Sequence, residues 1–355
     1  MEKKAIYQAL AEHLDSFPHG FPTTKSGKGL ALLAYLFTPE EAQLALVMLL
    51  TPLPLREITV KAGFSQSISQ GLVKNMARKG LIQLGLGPDG PEVSLLPFIV
   101  GFYENQVFRM DETLATLFED YYQEAMGKLL LAQPQFHRVI PVNAPISANV
   151  EILPEEDVIA ILSQKEAWAV LDCICRKQQA LLGRACEHPL RVCLAMSDTP
   201  GAFDGQREME ALDLRSAIRI LDSAARTGLV HTVSNRKRDI SYVCSCCTCG
   251  CGLLRGIADM HLANIVARSA FYAKVNPDLC MSCGDCEKMC QFDAIEVDLV
   301  ALVDRNACVG CGVCARVCPE EAIVLMQRPA DEVKPIPEND DAWMSLRAKA
   351  RSKRR

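Results

Sequence analysis

No cysteine occurs in the first 172 residues of this 355-residue chain, and all 17 lie between Cys173 and Cys318. The number is odd, so the thiols cannot all pair with one another as disulfides. The amino-terminal MEKKAIYQALAEHLDSFPHG has neither a continuous apolar stretch behind its lysines nor a small-residue cleavage site, and no secretory leader is read there. This predicts a reducing, cytoplasmic location, where clustered cysteines serve as metal ligands or redox centres more often than as disulfides. An apolar run of the ~20 residues needed to span a bilayer is also missing. The longest, Ala42 to Leu55, is cut by Thr51, Pro52 and Pro54, so no membrane span is expected. A net charge of -5 argues against a surface devoted to nucleic acid, although one small DNA-reading module remains compatible with it. The chain has no Walker phosphate loop, no G-x-G-x-x-G after a strand, no nucleophile elbow and no convincing carboxylate pair. An autonomous enzyme is therefore the weaker expectation, and no catalytic residue is assigned.

What is present is a globular composition, 49% hydrophobic and 23% charged, which excludes wholesale disorder and suits two or three domains. The pattern predicts an α+β multidomain chain in four segments. Residues 1–134 read as a winged-helix-like domain. Thr38-Pro39-Glu40-Glu41 is a capping box that opens one helix. A second helix follows from Leu55 to Ala62, and a third from about Ser65 to Lys79 with Ile68, Leu72 and Met76 as its apolar stripe. Leu81-Ile82-Gln83-Leu84 and Glu92-Val93-Ser94-Leu95 then flank a Gly-Pro-Asp-Gly-Pro turn, as a hairpin does. Residues 135–268 form a connector and a cysteine-rich central domain, with an expected strand at Val150–Leu153, a helix opening at Pro154 and an amphipathic helix through Leu214, Ile218, Leu221 and Ala225. Residues 269–327 carry eight cysteines, and residues 328–355 make a charged tail expected to be disordered.

In the third of these segments Cys280, Cys283, Cys286 and Cys290 recur 28 residues later as Cys308, Cys311, Cys314 and Cys318, and Ala294-Ile295 recurs as Ala322-Ile323. Each half is C-x-x-C-x-x-C-x-x-x-C followed by a short apolar strand, which resembles bacterial two-cluster ferredoxins. The resemblance implies a two-cluster ferredoxin fold and two 4Fe-4S clusters. It assigns Cys280, Cys283, Cys286 and Cys318 to the first cluster and Cys308, Cys311, Cys314 and Cys290 to the second. Glycines Gly284, Gly310 and Gly312 suit loops whose amides approach cluster sulfur. Pro319 follows Cys318 as the pattern expects, whereas Gln291 stands where a proline would follow Cys290, a change expected to loosen that turn or alter its hydrogen bonding.

Nine cysteines remain: Cys173, Cys175, Cys186 and Cys193 in one group, and Cys244, Cys246, Cys247, Cys249 and Cys251 in another. Neighbouring side chains diverge, so five thiols in eight residues cannot all serve one cluster, and the two groups are expected to meet in space. They would supply one or two further 4Fe-4S clusters, with one thiol over if two are built; a zinc site and a thiol–disulfide centre are the other readings. His188 and His231 lie nearby and read as ordinary surface or core residues. A winged-helix-like start, Val142-Asn143-Ala144-Pro145-Ile146-Ser147, CICRK with Cys186, Pro189 and Cys193, GLVHT and CSCCTCGC ahead of a double ferredoxin repeat together resemble a family of anaerobe proteins described as 4Fe-4S dicluster-domain proteins. That family often has cysteine where this chain has Gly250.

The expected function is electron transfer: low-potential electrons relayed to or from a partner oxidoreductase, of the flavin, tungsten/molybdenum or corrinoid type. The alternative is a redox-sensing winged-helix transcriptional regulator. Its third helix would then enter the major groove with Gln66, Ser67, Ser69, Gln70, Lys74, Asn75, Arg78 and Lys79 toward DNA. The basic end, Arg347, Lys349, Arg351, Lys353, Arg354 and Arg355, would contact an acidic partner or simply be solvated.

Overall fold

The computed structural model describes residues 3–141, 154–206, 208–262 and 264–352. The Val142–Ser147 motif, the strand expected at Val150–Leu153, and Lys353, Arg354 and Arg355 lie outside them. Two units are present, each assembled from separate stretches of chain: Met1–Ala132 with Lys177–Arg184 and Arg347–Arg355, and Gln133–Arg176 with Ala185–Leu346.

The first unit begins with α1 (Lys3–Ser16), α2 (Lys28–Leu36) and α3 (Pro39–Ala45). The capping box at α3 is complete: the Glu41 amide donates to Thr38 Oγ1 at 3.2 Å and the Thr38 amide to Glu41 Oε2 at 2.9 Å. After β1 (Leu53–Pro54) come α4 (Leu55–Ala62), α5 (Gln66–Arg78), β2 (Ile82–Gly87) and β3 (Gly90–Leu95), so the order helix, helix, helix, hairpin is present. The three strands form an antiparallel sheet in the order β1-β3-β2, and Pro88-Asp89 makes the turn between Gly87 and Gly90. The unit continues through α6 (Glu112–Tyr121) and α7 (Gly127–Leu130). Phe21 stacks on Tyr121 at 4.4 Å between centroids and Phe98 meets Tyr121 edge-on at 5.2 Å, giving an aromatic centre to the core.

Two expectations are corrected here. The buried face of α5 is Ser69, Val73 and Met76, not Ile68, Leu72 and Met76; Ile68 is exposed, and the helix is turned by about one residue from the expected stripe. Within the tail, the described residues up to Ser352 are structured rather than disordered: they contain α14 (Asp340–Ser352). In that helix Arg347 is fully buried, its guanidinium donating to the carbonyls of Ala132 at 2.7 Å and Leu129 at 2.8 Å, and Arg351 pairs with Asp15 at 2.6 Å. These two arginines are committed to the fold of their own unit rather than to an external acidic surface.

The second unit contains a six-stranded antiparallel sheet, in the order β4-β8-β9-β6-β5-β7. In chain order its elements are β4 (His137–Val139), α8 (Val158–Ser163), β5 (Ala167–Asp172), α9 (Ile174–Leu181), β6 (Arg191–Ser197), β7 (Glu210–Leu212), α10 (Leu214–Arg226), β8 (Val230–Ser234), β9 (Tyr242–Cys246) and α11 (Arg255–Met260). Only the start of α9 belongs here; from Lys177 its residues count with the first unit. The turn at Pro154–Glu156 is a single 3-10 turn, and Asp157 caps α8 by accepting from the Ile159 amide at 2.8 Å. On one face of the sheet Val170, Leu194, Met196 and Val243 pack against Ile161 of α8 and Ala217 and Leu221 of α10. Asp213 caps α10, whose apolar side faces this core as its periodicity predicts.

The same unit holds residues 269–327. Strands β10 (Phe271–Val275) and β13 (Ile323–Gln327) pair antiparallel, as do β11 (Ile295–Val297) and β12 (Ala301–Val303), with short helices α12 (Asp285–Lys288) and α13 (Val313–Val317) between them. Both helices begin at a glycine in the left-handed region, Gly284 with φ 79 and Gly312 with φ 78. Trp343 at the start of α14 is buried against Phe136 and donates its indole N–H to the Gln135 carbonyl at 2.9 Å.

Candidate metal centres

The eight cysteines of the repeat fall into two sets, and each set draws on both halves. Cys280, Cys283, Cys286 and Cys318 line one cavity, closed by Val297, Ala301 and Ile323. Cys286 experiences the charges of Cys283 and Cys318, and burial, the larger effect, raises its pKa. Cys311 is raised to about 12, first by burial and then by Cys308 and Cys290; Cys314 is likewise raised by burial and by Cys311, Cys308 and Cys290. Grouped thiols that resist ionisation on their own are suited to a polynuclear cation, which supplies the countercharge that water cannot.

The repeated alanines have a structural reason. The Ala294 amide donates to Cys290 Sγ and the Ala322 amide to Cys318 Sγ, each at 3.3 Å. A third main-chain donor, Ala301, reaches Cys280 Sγ at 3.5 Å and with Ser282 holds that thiol's pKa below the ordinary cysteine value. Glycine is required at position 310: its φ is +74, and a Cβ there would lie 2.1 Å from the Phe271 carbonyl oxygen.

The nine central cysteines meet, but they divide six and three rather than four and four with one over. Six close into a ring of thiol-to-thiol contacts: Cys173 with Cys175 and Cys193, Cys175 with Cys251, Cys251 with Cys246, Cys246 with Cys244, and Cys244 with Cys193. Strand geometry produces the ring. Pairing of Leu194 with Val243 places the next residues, Cys193 and Cys244, opposite each other, and Cys244 and Cys246 are two apart and so share one face of β9. Cys173 follows β5, Cys175 opens α9 and Cys251 returns from the loop after β9. The thiol contacts lower the pKa of Cys173, and those from Cys244 and Cys251 lower Cys246 to about 6, while Cys175 and Cys244 are pushed up by their contacts and Cys193 by its contact with Cys173.

Cys247 is one residue beyond Cys246, and the pleat turns it to the opposite face, where it packs with Ala224, Leu229 and Cys186. There Cys186, Cys247 and Cys249 bring their sulfurs within 4.8 Å of one another. Burial and then the Cys249 thiol raise Cys247 to about 12. Arg176 serves both groups. Its Nη1 donates to the Ser245 carbonyl at 3.0 Å and to Cys247 Sγ at 3.7 Å; burial disfavours the cation, and the charges of Cys173, Cys247 and Cys193 favour it. Gly250 leaves room for this arginine, since a Cβ there would come within 2.8 Å of Arg176 Cγ. Sequence reasoning found all nine thiols and overlooked Arg176, although it lies inside the CICRK motif.

Gln291, which stands in place of proline, ties its turn down rather than loosening it. Its side-chain oxygen accepts from the Thr248 amide at 3.0 Å and the Thr248 hydroxyl at 2.8 Å, and its Nε2 donates to the Gly228 carbonyl at 3.2 Å. Arg316 of α13 also pairs with Asp222 of α10. His231 is buried between the Leu221 carbonyl and Ser245 Oγ, at 3.1 and 3.2 Å, with its pKa lowered to about 4 by burial, as a core histidine. His188 is half-buried, and burial followed by the Arg176 charge lowers its pKa.

These arrangements can be set beside known proteins. Residues 273–326 match the family model of the 4Fe-4S dicluster domain. The match indicates 4Fe-4S cluster binding in that segment. It leaves the rest of the chain outside the matched domain, and neither the comparison with curated proteins nor that with solved structures finds a match. Among the described residues no helix is long and apolar enough to cross a membrane.

Proposed function

We propose that the protein relays low-potential electrons through two 4Fe-4S clusters in residues 269–327 and one further iron–sulfur centre in the six-thiol ring, to or from a partner oxidoreductase. The first cluster is held by Cys280, Cys283, Cys286 and Cys318 and the second by Cys308, Cys311, Cys314 and Cys290. Cys173, Cys175, Cys193, Cys244, Cys246 and Cys251 offer the third centre more thiolates than the four a cubane needs. When bound, such clusters supply one-electron chemistry; the chain fixes their position and donates amides to their thiolates. The observation that carries the reading is the hydrogen-bonded junction at Gln291. The residue next to Cys290 is bonded to Thr248, and Thr248 lies in the loop that leads from Cys246, at the end of β9, to Cys251. Short, rigid spacing between centres is what a relay requires.

The partner is a flavin, tungsten/molybdenum or corrinoid protein, the classes that exchange electrons with ferredoxin-type modules. The winged-helix-like order of α3, α4, α5 and the β2–β3 hairpin supplies a docking module in this reading. For the regulator alternative, Ser69 is buried in the core and Lys79 is paired with Glu41 at 2.5 Å, so two of the eight residues proposed to face DNA are otherwise engaged. Iron and acid-labile sulfide on anaerobically purified protein test the proposal. About twelve irons per chain are expected, and about eight, the load of the dicluster module alone, would remove the third centre.

A further inference from the structure

We propose that Cys186, Cys247 and Cys249 form a mononuclear tetrahedral site for a zinc-class divalent cation, separate from the iron–sulfur centres and completed by a fourth ligand from outside the chain. The inference stands independently of the relay, because it concerns thiols that the relay does not use.

Spacing is the first argument. Zinc–thiolate bonds of ~2.3 Å make a tetrahedron whose sulfurs are about 3.8 Å apart. Three sulfurs within 4.8 Å reach that arrangement by small side-chain rotations. In a four-iron cluster each thiolate occupies a different iron and the sulfurs stand farther apart. Among the described residues, no three of the eight cysteines in residues 269–327 approach one another within the same limit. The three-thiol group therefore differs in kind from the sets that match the dicluster domain.

Charge is the second. Three thiolates and a divalent cation leave one negative charge, and Arg176 supplies one positive charge 3.7 Å from Cys247 Sγ. Arg176 is 4% exposed, and its Nε and Nη2 have no hydrogen-bond partner among the described residues. A buried guanidinium in that condition calls for a neighbouring anion. Binding would release the three thiol protons and change no oxidation state.

Position is the third. Cys247 is fully buried, whereas Cys249 is exposed, so the site is anchored on one side and reachable by water on the other. Thr248, between two of the ligands, carries the hydrogen bonds to Gln291. The metal would fix the loop on which the dicluster module is fastened.

The test uses the full chain, purified anaerobically, with zinc and iron measured together and the zinc environment read by X-ray absorption. About one zinc per chain is expected, with three sulfurs at about 2.3 Å and one lighter atom. Cys249→Ser and, separately, Cys186→Ser should each lower the zinc content about fivefold or more, leaving iron content and the spectrum of the dithionite-reduced clusters unchanged. Loss of about four irons in either variant, with no zinc in the parent protein, would place an iron–sulfur cluster there and overturn the proposal. So would a Cys247–Cys249 disulfide found by mass spectrometry in protein that binds neither metal.

Discussion

One side-chain oxygen of Gln291 accepts both the amide and the hydroxyl hydrogen of Thr248, at 3.0 and 2.8 Å. A proline at position 291 would restore the ferredoxin pattern and delete this junction along with the bond to the Gly228 carbonyl. Gln291→Pro and Gln291→Ala should therefore both destabilise the second unit, by about 1–3 kcal/mol, since partly buried groups of Thr248 and Gly228 lose partners. Anaerobic denaturant titration measures the shift. An unchanged midpoint for both variants would show that the junction contributes nothing.

The crossed grouping of the repeat makes a prediction that only paired substitutions can read. Cys283→Ser with Cys318→Ser should cost one cluster, about four irons, because the crossed assignment gives both residues to the same proposed centre. Cys283→Ser with Cys290→Ser should cost about eight. The reverse ranking would mean that each half of the repeat holds its own cluster.

Two glycines with nearly the same backbone angle should tolerate alanine very differently. At Gly284, φ +79, an added Cβ meets nothing within 4 Å, so Gly284→Ala pays only for the left-handed conformation, about 1 kcal/mol. At Gly310 the same atom would meet the Phe271 carbonyl at 2.1 Å and Ser269 Oγ at 2.3 Å. Gly310→Ala should lose more than about 3 kcal/mol, or lose iron altogether, because main chain must move. Iron content and unfolding midpoints of the two variants provide the comparison.

His137 gives the second unit a pH dependence of known sign. Burial lowers its pKa from 6.5 to about 3, with its ring bonded to Tyr242 Oη at 2.9 Å and Thr232 Oγ1 at 3.1 Å. The unfolded chain takes up a proton as pH falls below 6.5 and the folded chain does not, so this stabilisation is complete above that pH and is lost progressively toward pH 3. His137→Gln should flatten the fall in stability between pH 6.5 and pH 5. An equally steep fall in the variant would assign the effect elsewhere.

Arg176 should act on reduction potential. Replacing it with Met removes a positive charge contacting Cys247 and acting on Cys173 and Cys193, so the centre proposed for the six-thiol ring should become harder to reduce. An anaerobic redox titration followed by electron paramagnetic resonance should show one signal moving to lower potential while the two of the dicluster module stay in place. Arg176→Lys, which keeps the charge, should recover most of the shift.

Much of this was legible in the chain, and the illegible parts have physical causes. The 28-residue repeat and the capping box at Thr38 depend on short-range chemistry, which spacing reveals directly. The role of Ala294 and Ala322 did not show, because their main-chain amides do the bonding and the side chains only accompany them. On α5, Ile68 and Ser69 exchange expected places because tertiary packing overrides an apolar stripe that is only one residue per turn. In α14 the spacing of Trp343 and Arg347, one helical turn apart, was hidden among charges, and burial of Arg347 depends on carbonyls of Leu129 and Ala132 far away in sequence. The six-and-three division could not be read from CSCCTCGC either, since five cysteines in eight residues conceal any alternation.

That alternation gives β9 an unusual duty. Cys246 ends the strand facing one side and Cys247, the next residue, faces the other, so the end of one short strand separates two groups of thiols. Deleting Val243 or Ser245 would shift the register by one and turn Cys246 and Cys247 to opposite sides from those they now face, without removing a sulfur. Strand register, as much as cysteine content, thus decides which thiols meet on each side, and a variant with all 17 cysteines intact would still group them differently.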